Sequence, residues 1–178
     1  MRTTHLRMTS AGRRSALTKA ALAAFLMAVF TLGIAPAGEA GFVEWVESTY
    51  SLTVADHFTQ VNQVHTGLTQ LVLHHDVSVT VAISEPQMGG SRLRCGTSGS
   101  TDALDTSYKL SGTRLSPSDS DWIAAATFVG RSYTLTPLTG QPYTSAIELD
   151  VQAANATSRA NDAGPYTATI TLTATSLP

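Results

Sequence analysis

Tyr166-Thr167-Ala168-Thr169-Ile170-Thr171-Leu172-Thr173-Ala174-Thr175, near the end of the 178-residue chain, alternates a small or apolar residue with threonine at every step. A period of two places successive side chains on opposite faces of a strand. The stretch therefore predicts a β-strand with Tyr166, Ala168, Ile170, Leu172 and Ala174 in a core and the threonines facing water. Because the clearest strand comes last, upstream segments must form the sheet that receives it, and the domain is complete only when it docks. Threonine is favoured on the exposed side of strands, which accounts for the threonine row without ordered water or carbohydrate.

The same period recurs upstream. Val77, Val79, Val81 and Ile83 alternate with Ser78, Thr80 and Ala82; Tyr133 and Leu135 with Thr134 and Thr136; Ile147, Leu149 and Val151 with Glu148, Asp150 and Gln152. Phe42, Val46, Tyr50, Leu52 and Val54 share even positions and predict a first strand over 42–54, while Leu71-Val72-Leu73 reads as a short buried strand. Segments 103–110 and 123–128 complete about seven or eight strands, with Trp122 as a core anchor. From Asp56, the spacing of Phe58, Val61, Val64 and Leu68 approaches a helical period and predicts a short helix or structured loop, with Asp56 able to cap it. Residues 85–101, carrying Pro86, Gly89-Gly90, Gly96 and Gly99, read as turns and loops, as do 116–121 (Ser-Pro-Ser-Asp-Ser-Asp) and 155–164. Short strands between turns, with no sustained helix and no alternation of strand and helix, predict an all-β fold: an antiparallel β-sandwich, with a β-barrel as the alternative if the first and last strands pair.

The first forty residues read differently. Arg2, Arg7, Arg13, Arg14 and Lys19 precede an apolar run over 20–34, followed by Ala35-Pro36-Ala37 and Gly38-Glu39-Ala40. Basic, apolar and small-residue regions in that order predict a secretory signal peptide over 1–40, cut after Ala37 or Ala40, with a β-sandwich domain over 41–178. The run is short and alanine-rich for a membrane span, so an uncleaved anchor is the secondary reading. Arg13-Arg14 raises a twin-arginine route, but Ser15-Ala16-Leu17 fits it loosely, and the general export route is expected. Five of the eleven basic residues and one of the thirteen acidic residues precede Gly41, leaving six against twelve and a formal charge of −6 over 138 residues. Such a surface repels phosphate, so no nucleic-acid partner is expected, nor a membrane once the leader is gone.

Few residues invite chemistry. Cys95 stands alone, so no internal disulfide can form; it reads as a small buried hydrophobe, with an intermolecular disulfide as the other reading. His74-His75-Asp76, with His57 and His65, is the only collection suggesting a metal, but adjacent strand residues point to opposite faces and the spacing matches no known ligand pattern. The acidic pairs Asp102/Asp105, Asp119/Asp121 and Glu148/Asp150 lack the rest of a calcium loop and suit solvated surfaces. No Gly-x-Ser-x-Gly elbow or phosphate-binding loop is present, and neither an enzyme activity nor a cofactor is expected. Asn155-Ala156-Thr157 matches a glycosylation acceptor.

Ala163-Gly164-Pro165-Tyr166, with the strand that follows, resembles the closing strand of bacterial secreted sandwich domains, including spore-coat-U-like and other fimbrial subunits. The resemblance implies an immunoglobulin-like sandwich with a structural or adhesive role at the cell surface and no catalysis. Pilin subunits of that group carry a disulfide pair and lack their last strand, which a neighbour donates, whereas this chain has one cysteine and its own last strand. Residues 41–54 could be a donor segment or an ordinary first strand. The expectation is a secreted or cell-surface, fimbria-like subunit that self-associates through edge strands. The alternative is a binding module that recognises a glycan or protein through loops 85–101 and 116–121.

Overall fold

The computed structural model describes residues 2–10, 41–54, 63–137, 143–155 and 165–177. Their elements are, in chain order, β1 (Arg2–Ser10), β2 (Val43–Trp45), β3 (Thr49–Val54), β4 (Val64–His75), β5 (Val79–Ser84), β6 (Arg94–Cys95), β7 (Asp105–Ser111), β8 (Leu115–Ser116), β9 (Ile123–Ala124), the single helical turn α1 (Ala125–Phe128), β10 (Ser132–Leu135), β11 (Thr144–Ala154) and β12 (Tyr166–Ser176). One sheet has the order β3-β1-β12-β5-β10-β8, with β6 also paired to β12; the other has the order β2-β4-β11-β7-β9. The two sheets pack face to face as a β-sandwich, without closing into a barrel. Neighbouring strands are antiparallel except β1 and β3, which run parallel.

The alternating segments lie as their pattern predicts. Tyr166, Ala168, Ile170, Leu172 and Ala174 are buried, and β12 occupies the middle of its sheet, with Leu172 opposite Ile83 and Ala174 opposite Val81. Ile147, Leu149 and Val151 face them from β11 in the other sheet. The threonine face is less open than its composition suggests: Thr171 is buried and Thr167, Thr169 and Thr173 are half-buried.

Four segments depart from the sequence reading, one of them 123–128, where only Ile123–Ala124 is strand and Ala125–Phe128 forms a helical turn. Residues 42–54 form two strands in different sheets, and the crossing at 46–48 reverses the phase: Trp45 is buried in β2, whereas Tyr50 and Leu52 are buried in β3. Phe42 and Val46, on the even positions, are exposed. Val64 and Leu68 belong to the twelve-residue strand β4 rather than a helix, and both are exposed. Their strand conformation comes from backbone pairing with β11, which continues from Thr144↔His74 to Ala154↔Val64. Asp56, Phe58 and Val61 lie outside the described residues. Trp122 is 37% exposed beside the edge strand β9, with the Lys109 ammonium 5.2 Å from its ring centroid. The largest fully buried aromatic side chains are instead Tyr108, Phe128 and Tyr133.

Candidate functional site

The feature with most capacity for recognition is the seam around β1. Arg2 to Thr9 pair antiparallel with β12, from Arg2↔Ala174 to Thr9↔Thr167, and His5 to Ser10 pair parallel with β3, from His5↔Thr49 to Ser10↔Val54. The segment that the sequence assigns to the basic start of a leader is thus a strand inside the sheet of the full chain. Its two neighbours are in phase: through Leu6, Tyr50 lines up with Ile170, and through Met8, Leu52 lines up with Ala168. All four of these neighbours are buried. β1 thus holds its place between β12 and β3 by main-chain pairing on both of its edges, with buried residues of the two neighbours in register across it. Sequence reasoning set this segment aside as a leader; its strand signal is limited to Leu6 and Met8 two apart among threonines.

The loops considered for binding are pinned at opposite ends of β7. At one end, Arg92 donates to Asp105 (2.9 Å) and the Leu93 amide to the Thr106 hydroxyl (3.0 Å). The Glu85 carboxylate there accepts from the backbone N–H of Gly89 (2.7 Å) and Ser91 (2.9 Å), closing a turn in which Gly89 adopts φ 76°. Partial burial on its own raises the Glu85 carboxyl, but hydrogen bonds from the Ser91 hydroxyl and the backbone of Ser91, Gly89 and Gly90 outweigh it and hold the group below its ordinary value. At the other end, Asp119 turns inward. Its carboxylate accepts from the Leu110 amide (3.0 Å), the Tyr133 hydroxyl (2.7 Å) and Arg131 (3.1 Å), with only 3% of the side chain exposed. Asp121 does not share these partners; it accepts from the Ser120 hydroxyl.

The remaining candidates do not converge. His74 is exposed and His75 is buried on the opposite face of β4; His65 is half-buried further along, and His57 lies outside the described residues. The imidazole of His75 bridges the Val77 carbonyl (2.8 Å) and the Ser145 hydroxyl (2.8 Å), so Nδ1 carries the proton and Nε2 accepts. This pair ends the strand β4. Asp102 is buried near the Tyr166 hydroxyl, whereas Asp105 is exposed beside Arg92. On the outer face of β11, Asp150 pairs with Lys109 (3.2 Å). Among the described residues, no group of three or more His, Cys, Asp and Glu is placed to hold a metal ion, and no helix is long and apolar enough to cross a membrane. Asn155 is 1% exposed in the folded chain.

Cys95 is a buried thiol outside any disulfide, with 8% of its surface exposed in β6, and it lines a groove of about 210 Å³ together with Gly90, Arg92, Arg94 and Thr167. The two guanidinium groups are engaged, Arg92 with Asp105 and the Leu104 carbonyl, Arg94 with the Gly89 carbonyl. With 8% of its surface exposed, the thiol is poorly placed to meet a second copy. The purified protein is therefore expected to run at the same single-chain position on gels with and without reductant; a reductant-sensitive dimer band would contradict this placement.

Fold and seam together define an all-β sandwich in which β1 is an inner strand of one sheet. Compared with known protein families and with curated proteins, the chain matches no family model and no curated sequence.

Proposed function

We propose that the protein is exported, loses residues 1–40 and serves at the cell surface as a structural or adhesive, non-enzymatic subunit whose copies associate by adding a strand beside β12. The observation that carries this reading is the position of β1, a leader segment lying between two strands of the mature sandwich. Export would remove it and leave the edges at 167–174 and 49–54 without those backbone partners. An unpaired edge in the middle of a sheet is the strongest template for strand addition, because each N–H and C=O regained there replaces a lost hydrogen bond. The resemblance of the closing strand to fimbrial subunits points the same way, and the formal charge of −6 over residues 41–178 suits an extracellular surface rather than a nucleic-acid partner.

The competing outcome is closure: β3 could move one strand spacing, about 4.8 Å, and pair directly with β12, since Tyr50 and Ile170 already share a phase. Light scattering on size-exclusion fractions of residues 41–178 separates the two. Oligomers or filaments, reduced in size by a peptide of residues 2–10, are expected. A single-chain mass at every concentration would overturn assembly and transfer interest to loops 85–101 and 116–121 as recognition elements.

A further inference from the structure

The sandwich grips the chain at Gly41 and Phe42. The Phe42 amide donates to Asp76 Oδ1 (2.7 Å), and the Asp76 amide donates back to the Phe42 carbonyl (3.4 Å). The Phe42 ring meets Tyr143 edge-on with centroids 5.8 Å apart, and Val43 then enters the sheet opposite His75. Gly41 is fitted to this place, because a Cβ there would overlap the Val77 side chain. Among the described residues, no Lys or Arg pairs with the Asp76 carboxylate; its partner is the backbone N–H one residue after Gly41.

From this geometry we propose that Asp76 is the receptor for a new amino terminus: processing occurs between Ala40 and Gly41, and the α-ammonium of Gly41 pairs with the Asp76 carboxylate. The inference rests on the export reading and selects one of the two small-residue sites in the leader. A cut after Ala37 would instead leave Gly38-Glu39-Ala40 ahead of Gly41, adding one negative charge to the new terminus and placing the ammonium three residues earlier in the chain. Hydrolysis of the Ala40–Gly41 peptide bond consumes one water and yields the Ala40 carboxylate and the Gly41 amine, which is protonated at neutral pH. A carboxylate that already accepts from the Phe42 N–H, one residue along, would gain a charge-assisted partner in the new ammonium. The residue after the cut must then be glycine, which the Val77 contact requires.

The test is the intact mass and first residue of protein recovered from an exporting host, followed by melting of two processed forms. A first residue of Gly41 is expected. Asp76→Asn is expected to lower the melting temperature of the Gly41-started chain by on the order of 4 °C, and to do so less in a chain extended by Ala40, whose ammonium is displaced. Export with Gly38 as the first residue, or equal Asp76→Asn shifts in both forms, overturns the latch while leaving export standing. A chain that retains residues 1–40 overturns export itself.

Discussion

Replacing Asp119 with alanine is expected to cost about 3 kcal/mol of folding stability, a large share of the roughly 5–15 kcal/mol that holds a domain of this size. The carboxylate is almost wholly buried and collects three donors from three places: the Leu110 amide of β7, the Tyr133 hydroxyl of β10 and the Arg131 guanidinium. Leu110 and Tyr133 belong to different sheets, so one side chain ties the sandwich together across its layers. Alanine leaves the Leu110 N–H and the Tyr133 O–H without an acceptor, each costing about 1–3 kcal/mol when buried. Arg131, one-third exposed and lying against the Tyr133 ring, can rehydrate and adds less. Asp119→Asn keeps one acceptor oxygen and is expected to lose about half as much. Urea titration decides: a midpoint shift at constant slope supports the bridging role, and a change below about 0.5 kcal/mol for Asp119→Ala would refute it.

Asp119 also marks the limit of what the sequence reveals. Within Ser116-Pro117-Ser118-Asp119-Ser120-Asp121 nothing local separates the two aspartates, since composition gives both a solvated loop. Only the approach of Leu110, Arg131 and Tyr133 distinguishes them, and that contact is tertiary. Strands 79–84, 144–154 and 166–176 were legible because each is buried on one face along most of its length, so burial wrote a period of two into the chain. The first half of β4 escaped the same logic. There the inward-facing positions are His65, Gly67 and Thr69, half-buried and not apolar, while Val64 and Leu68 point outward, so the pairing that makes it a strand left no hydrophobic signature. Residues 42–54 misled for another reason: a chain that changes sheets must change which parity it buries, and a single parity read across the crossing puts Phe42 and Val46 on the wrong side. The place of β1 in the sheet was hidden because Arg2 and Arg7 precede an apolar run, the pattern that the sequence reading takes for a leader.

Phe128→Ala is expected to be at least as damaging, about 3–5 kcal/mol, because the ring is fully buried where the two sheets meet. Phe128 stacks on Tyr108 of one sheet, with centroids 4.9 Å apart and planes 24° from parallel, and lies 6.3 Å from Tyr133 of the other. Alanine removes the shared partner of both tyrosines and opens a cavity that the rigid strands on either side cannot fill. Leucine keeps most of the volume and is expected to cost less than half as much. The flanking tyrosines give this cluster a pH signature. Burial, then the Glu85 charge, pushes the Tyr108 hydroxyl above its ordinary value; burial, then the hydrogen bond and charge of Asp119, does the same to Tyr133, against a smaller opposing effect of Arg131. Both hydroxyls hold their protons more tightly in the folded chain, so their contribution is intact below the unfolded tyrosine value of about 10 and is lost as pH rises beyond it. Tyr108→Phe forfeits the hydrogen bond to the Ser91 carbonyl and is expected to be about 1 kcal/mol less stable at neutral pH. Above pH of about 10 its deficit should shrink, since phenylalanine has no proton to lose. Parallel stability curves for the two proteins from pH 7 to about pH 11 would show that the Tyr108 hydroxyl does not titrate with unfolding, and would refute this pH signature.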